Sequence, residues 1–182
     1  VDKVDLAVTA GEQGREDTQW FTQGLAATLC SALPMPNRLW LDVGAGLGRS
    51  RERIEPHGFR VITQDPAPDL PVDTDQPLEK IYGEFGVVSA FDVIEHVKDV
   101  PAFTKELSRL SCGYVVLSAP FDSDSLYHFQ VFTPQYLLQQ TSSIGRLLLA
   151  YELGEGWVRR RDQRIKEGFG ALLVYSVGNW GV

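Results

Sequence analysis

The chain has 182 residues, 43% hydrophobic and 23% charged, which is enough for one domain with a proper core. A formal net charge of -7 argues against broad, non-specific nucleic-acid binding. No stretch approaches the roughly 20 apolar residues of a membrane-spanning helix. The polar, acidic start VDKVDLAVTAGEQGRED has no leader pattern.

Residues 1–16 read as a loose arm. Asp17 or Thr18 is placed to cap a helix that runs to about Leu33 and buries Trp20, Phe21, Leu25 and Leu29. Cys30 and Cys112 make no metal spacing and no disulfide framework, which predicts reduced thiols in a cytoplasmic protein. Pro34 and Pro36 end the first helix. Leu39 to Val43 reads as a short buried strand, Leu47 to about His57 as a helix, and Arg60 to Gln64 as a second strand. From Pro66 to Glu84 the chain is irregular and rich in Pro and Asp. Phe85 to Ala90 is a third strand. A helix in two parts follows, broken near Pro101, with Phe103, Leu107 and Leu110 on one face. Tyr114 to Ala119 is a strand. Thr133-Pro134 starts a helix, with Thr as cap and Pro at the first helical position. Leu147 to Leu153 and Ala171 to Val177 are the last two strands, the final one antiparallel. Between them residues 154–169 read as a basic insertion. Its Arg159, Arg160, Arg161, Arg164 and Lys166 are read as a solvated face rather than a phosphate contact.

Alternating strands and helices imply one α/β domain, a Rossmann-like three-layer sandwich with a mostly parallel sheet, an antiparallel last strand and a shortened middle. In such folds ligands bind at the carboxyl ends of the strands. That rim carries the glycine loop of LWLDVGAGLGRS. A P-loop would need Lys and Ser or Thr after its last glycine, and Arg49-Ser50 fails that spacing. Gly44 and Gly46 fit the dinucleotide fingerprint, but its third position is Arg49, and the third glycine falls one place early, at Gly48. Asp42, at the strand end, suits a ligand amino group. The glycine backbone can approach a carboxylate. Asp65, about 20 residues on, stands where an acid accepts both hydrogen bonds of a ribose diol. Amine, carboxylate and ribose together describe S-adenosylmethionine.

LDVGAGLGRS, VITQDPAP, FDVIEHVKDV and YVVLSAPF, in that order, resemble class I S-adenosylmethionine-dependent methyltransferases, and most closely the group around the ubiquinone-biosynthesis O-methyltransferases. The resemblance spans roughly Leu39 to Leu138. It implies that Asp42, Gly44, Ala45, Gly46 and Gly48 line the methionine end of the cofactor, that Asp65 holds the ribose and that Phe91 lies near the cofactor. Pro66 to Glu84 is too short for the helix and strand usual there, which leaves the adenine contacts unassigned. Gly86 replaces a usual Asp, and Ser111-Cys112-Gly113 a Lys-Pro-Gly-Gly turn.

The activity expected is O-methylation of a small-molecule acceptor by in-line displacement, which asks the protein to position the acceptor and exclude water. A hydroxyl acceptor also needs a base. His57 falls away from the rim. His96 and His128 fall on it and are the candidates, although Glu95-His96 equally reads as a pair that shapes the cofactor pocket. Trp20, Phe121, Tyr127, Phe129 and Trp157 form either an aromatic acceptor wall or core. Three rivals stand beside this reading. One is a methyltransferase-fold binding module without turnover. Another is a nucleotide-linked oxidoreductase, which Arg49 disfavours. The third is a metal-assisted RNA 2′-O-methyltransferase. Asp92, Glu95 and His96 at i, i+3 and i+4 would share a helix face, and His128 could close a divalent-metal site. The small-RNA terminal 2′-O-methyltransferases are similar here, with a later His before a Phe/Trp-Thr pair, in this chain Phe132-Thr133. Asp92 stands where those enzymes have Glu.

Overall fold

The structure is a computed structural model that describes residues 21–121, 128–154, 157–161 (backbone only) and 169–178. Helix α1 covers residues 21–31. Then come β1 (Leu39–Val43), α2 (Arg51–Ile54), β2 (Arg60–Gln64), β3 (Phe85–Phe91), α3 (Val100–Leu110), β4 (Ser111–Pro120), α4 (Pro134–Thr141), β5 (Arg146–Gly154), β6 (Trp157–Arg161) and β7 (Gly170–Ser176). One seven-stranded sheet has the order β2-β1-β3-β4-β7-β5-β6. The first four neighbours pair in parallel, whereas β7 runs antiparallel to both β4 and β5.

Two apolar clusters fill the two faces of the sheet, which makes the three layers. On one face Leu41, Val43, Val88, Val115 and Leu173 pack against Leu107 and Leu110 of α3 and Leu137 of α4. On the other, Trp40, Val87, Val116 and Val174 pack against Ala26, Ala27 and Cys30 of α1 and Ile54 of α2. Alternate residues of one strand feed opposite faces, and because both are covered every residue of β3 and β7 is buried. Burying Leu107 or Leu110 stabilises the fold by about 2 kcal/mol each. Burial also pushes the Cys30 thiol up to about 12, which leaves it unreactive.

Several expectations need correction. The helix after the glycine loop begins at Arg51, not Leu47, and runs only to Ile54 before a 3-10 turn at Glu55–His57. Three glycines with positive φ keep residues 44–48 in a loop. Pro101 does not break a helix. It sits in the first turn of α3, where no partner for an N–H is needed, and Asp99 caps that turn by accepting from the Ala102 N–H at 3.0 Å. The buried face of α1 is made of the small residues Thr22, Ala26, Ala27 and Cys30, while Phe21 is exposed and Leu25 and Leu29 are only partly buried. Close approach of the helix to the sheet favours small side chains over the large ones expected. Residues 1–20, with Asp17, Thr18 and Trp20, lie outside the described residues. The basic insertion contains a strand, β6, paired antiparallel to β5 at the sheet edge, with Arg159 opposite Glu152 and Arg161 opposite Ala150. Arg164 and Lys166 lie outside the described residues.

The shortened middle is visible at the other edge. Between β2 and β3 there is no helix and full strand, only a 3-10 turn at Leu78–Lys80 and one parallel bridge between Gln64 and Thr74. Asp73 hooks this segment on: its Oδ2 accepts from the Thr63 N–H at 2.8 Å and the Thr63 hydroxyl at 2.9 Å, and it pairs with Arg51. These bonds hold the Asp73 carboxyl below the usual range, against the opposing effect of its partial burial. They also cover the otherwise open edge of β2.

Gly86 has a steric reason. A Cβ there would meet the Asn37 carbonyl oxygen at 2.1 Å. Asn37 runs alongside, and its Oδ1 accepts from the N–H of both Gly86 and Leu39 at 2.9 Å.

Candidate active site

The carboxyl ends of β1, β2 and β3 meet at one rim, as a parallel sheet requires. There the chain leaves β1 through Gly44, Gly46 and Gly48, at φ of 67°, 54° and 69°. Gly44 has no alternative, because a Cβ would come within 2.6 Å of Val93 Cγ2. At Gly46 a Cβ would meet nothing within 4 Å, so the space above it is open. The loop N–H groups point into the protein: Ala45 donates to the Gln64 carbonyl at 2.9 Å, Gly46 to Asp65 Oδ2 at 2.9 Å and Gly48 to the Ala45 carbonyl at 2.9 Å. A pyrophosphate needs such amides turned outward and a helix start behind them. This loop supplies neither, since α2 is a four-residue turn.

Asp42 lies beneath the loop. It is 2% exposed, on the face of β1 that carries Trp40. The Ser89 hydroxyl donates to its Oδ1 at 2.6 Å, and the Trp40 indole N–H donates to Ser89 Oγ at 2.7 Å. Burial pushes the Asp42 carboxyl up to about 6; the hydroxyls of Ser50 and Ser89 offset part of that, and the neighbouring Asp65 adds to it. Asp65 is partly buried, with its second oxygen accepting from the Ala67 N–H at 2.9 Å.

A cleft of about 660 Å³ opens beside the loop, a size suited to a small ligand. Of the residues expected at the cofactor, Gly44 and Asp65 line it, as does His96. Ala45, Gly46, Gly48 and Asp42 belong to the loop and its support, not to the cleft wall. Phe91 is 5% exposed and packs in the cluster with Trp40 on the opposite face of the sheet, while its neighbours Asp92 and Val93 line the cleft. Reading along the chain did not place Gln64, the Pro77–Glu79 stretch, Val93, Ala102 or Phe103 at the site; Phe103 was expected only on one face of its helix with Leu107 and Leu110. They come together from four separate segments, and the apolar pair Pro77-Leu78 does not stand out locally from Leu70 to Val72 or Ile81-Tyr82 in the same stretch. Among the described residues the wall carries the carboxylates of Asp65, Glu79, Asp92, Asp99 and Glu106 and no Lys or Arg. Such a surface repels phosphates and suits a neutral or cationic ligand.

His57 sits before β2, at the opposite end of the sheet. His96 closes the 3-10 turn Ile94–His96 after β3, and its ring meets that of His128 edge-on at 4.8 Å. Phe129 and Gln130 hold the His128 segment there by donating their N–H groups to the Glu95 carbonyl, at 2.8 and 3.0 Å. The ligand atoms of Glu95, His96 and His128 all lie within 4.8 Å of one another. Asp92 is not among them. It is not helical: its φ is 54°, its carboxylate accepts from Ser118 Oγ at 2.8 Å, and the expected shared helix face does not form. Phe121 is core, and Phe129 is exposed with Lys98 Nζ 4.8 Å from its ring centre. Tyr127 lies outside the described residues, as does the Trp157 side chain.

A methyltransferase-domain family model matches residues 21–162. The chain belongs to that family. No curated protein matches it. Among solved structures it is similar to a magnesium protoporphyrin IX methyltransferase from Synechocystis crystallised with S-adenosylmethionine, at 16% identity and a TM-score of 0.65, over 98% of this chain and 86% of that one. It is also similar to an S-adenosylmethionine-dependent methyltransferase from Archaeoglobus fulgidus, at 16% identity and a TM-score of 0.64, over 94% and 100%. A third is the N-methyltransferase NodS from Bradyrhizobium japonicum, at 10% identity and a TM-score of 0.63, over 89% and 98%. These likenesses establish the shared fold of the methyltransferase domain. Among the described residues no helix is long and apolar enough to cross a membrane.

Proposed function

We propose that the protein transfers a methyl group from S-adenosylmethionine to an oxygen of a small-molecule acceptor. One observation carries the cofactor assignment: the glycine loop is tied inward to Asp65 and opens on a cleft that, among the described residues, is walled by carboxylates with no Lys or Arg. The cofactor would supply a methyl group on a sulfonium that leaves as a neutral thioether. Gly44, Ala45, Gly46 and Gly48 form the loop that receives its methionine end, with Asp42 beneath it for the amino group, and Asp65 accepts from the ribose hydroxyls. Phe91 backs the rim from the core. His96 or His128 accepts the proton of the acceptor hydroxyl as its oxygen attacks the methyl carbon and the carbon–sulfur bond breaks. Their neighbouring rings at the rim support that role. Titration calorimetry with S-adenosylmethionine and S-adenosylhomocysteine tests the cofactor: micromolar binding is expected, weakened strongly by Asp65→Ala. Absence of binding by the wild type overturns the assignment. Binding with no transfer to any acceptor favours a binding module instead.

The second reading is metal-assisted 2′-O-methylation of RNA, favoured by the Glu95–His96–His128 cluster. Two imidazoles and a carboxylate suit a divalent ion of the transition series or zinc, and those three residues would hold it. Transfer would then be abolished by EDTA and restored by added metal. Turnover unchanged by chelator removes this reading and leaves the histidines as bases.

A further inference from the structure

The family's usual helix and strand beside the adenine are missing here, yet the cleft has a far wall. Pro77, Leu78 and Glu79 line it together with Ala102, Phe103 and Glu106 of α3. Leu78 and Ile81 of the irregular segment pack on the cluster that includes Leu107 and Leu110 of α3, but apolar contact alone does not fix a backbone against the helix. Arg109, one turn beyond Glu106 and outside the cleft lining, does so. Its Nη2 donates to the carbonyls of Leu78 at 2.9 Å and Ile81 at 3.1 Å, and its Nε donates to Glu106 at 2.7 Å. A planar guanidinium makes these bonds together, whereas a lysine ammonium would serve them as a single point charge.

Leu78, Val93, Val97 and Phe103 are each partly buried, packed on the core and turned also to the cleft. The slot is therefore lined by apolar side chains together with the carboxylates of Asp92, Asp99 and Glu106. A purine needs that pairing: flat apolar faces to cover and an exocyclic amine that donates at the edge. The same cleft reaches Gly44 and Asp65 at its other end.

We infer that the slot between Pro77–Leu78 and α3 seats the adenine ring of the cofactor, and that Arg109 is the positioning residue that clamps its outer wall in place of the absent helix and strand. The inference rests on the cofactor assignment above. It predicts that Arg109 acts on affinity and not on the chemical step.

Calorimetry with S-adenosylhomocysteine on the wild type, Arg109→Ala, Arg109→Lys and Ala102→Trp tests this, with melting temperature followed for each. Ala102 is exposed on α3, so a larger side chain there fills the slot without disturbing the core. The expected result is a Kd raised about tenfold or more by Ala102→Trp at unchanged melting temperature. Arg109→Ala raises the Kd about tenfold and Arg109→Lys raises it less, and in turnover assays KM for S-adenosylmethionine rises while kcat holds. If the wild type binds and Ala102→Trp binds equally well, the adenine lies elsewhere and the inference falls alone. If the folded Arg109→Ala variant binds as the wild type does, the clamp falls. If the wild type does not bind, the cofactor assignment falls and takes this with it.

Discussion

Asp42 is a carboxyl group buried completely beneath the ligand loop, and replacing it with asparagine should stabilise the protein at neutral pH. Its native pKa lies at about 6, against the ordinary aspartate value near 3.8 in the unfolded chain. The native state therefore holds the proton more tightly than the unfolded state. Its contribution is full below about pH 4 and is lost as pH rises through about 6. At pH 8 the ionised form costs the native state on the order of 3 kcal/mol. Asp42→Asn keeps an oxygen for the Ser89 hydroxyl and removes the charge. Urea unfolding of both proteins between pH 4 and pH 8 isolates this group together with its coupling to Asp65, because titrations elsewhere cancel in the difference. Asp73 illustrates the need for subtraction: its carboxyl is lowered, so its contribution is present above its unfolded pKa and lost as pH falls further. The variant should fall up to about 1 kcal/mol short of the wild type near pH 4, the worth of a weakened hydrogen bond, and exceed it by about 2 kcal/mol at pH 8, where the buried charge costs about 3 kcal/mol. A difference that stays flat across the range would refute the burial argument. The same variant should bind S-adenosylmethionine more weakly, because a cationic amino group then loses its nearby carboxylate.

The glycines separate stability from binding. Gly44→Ala should destabilise by about 2–4 kcal/mol, from a left-handed backbone and a 2.6 Å contact with Val93, whereas Gly46→Ala should lose only about 1–2 kcal/mol. Equal losses in urea unfolding would mean that Val93 yields freely. Gly46→Ala should still impair cofactor binding, measured by calorimetry, because its Cβ enters the open space above the loop. Gly86→Asp, which installs the family's commoner residue, should lose more than about 4 kcal/mol or fail to fold, since its Cβ would sit 2.1 Å from the Asn37 carbonyl oxygen. A soluble Gly86→Asp protein with wild-type unfolding would show that Asn37 can move aside.

What the sequence by itself determined is the part written in local pattern. The limits of β1 and β2 follow from short apolar runs, as expected residue for residue. The Thr133-Pro134 cap, the parallel sheet with its reversed last strand and the glycine loop at the rim were equally legible, because caps, turns and periodicity act over a few residues. The methyltransferase resemblance came from the same local motifs. Where a pattern depended on a partner far along the chain, it misled. Asp92, Glu95 and His96 have helical spacing, but Ser118 of the next strand draws Asp92 into a left-handed conformation. The large residues of α1 looked like its buried face, yet Trp40 and the sheet leave room only for alanine, threonine and cysteine. Phe91 stood next to the site in sequence and ends in the core, because alternate strand residues point to opposite faces. Tertiary structure alone decided how the irregular middle is held. Asp73 ties it to β2 and Arg109 ties it to α3, through carbonyls and hydroxyls that no motif records, because any residue offers a carbonyl.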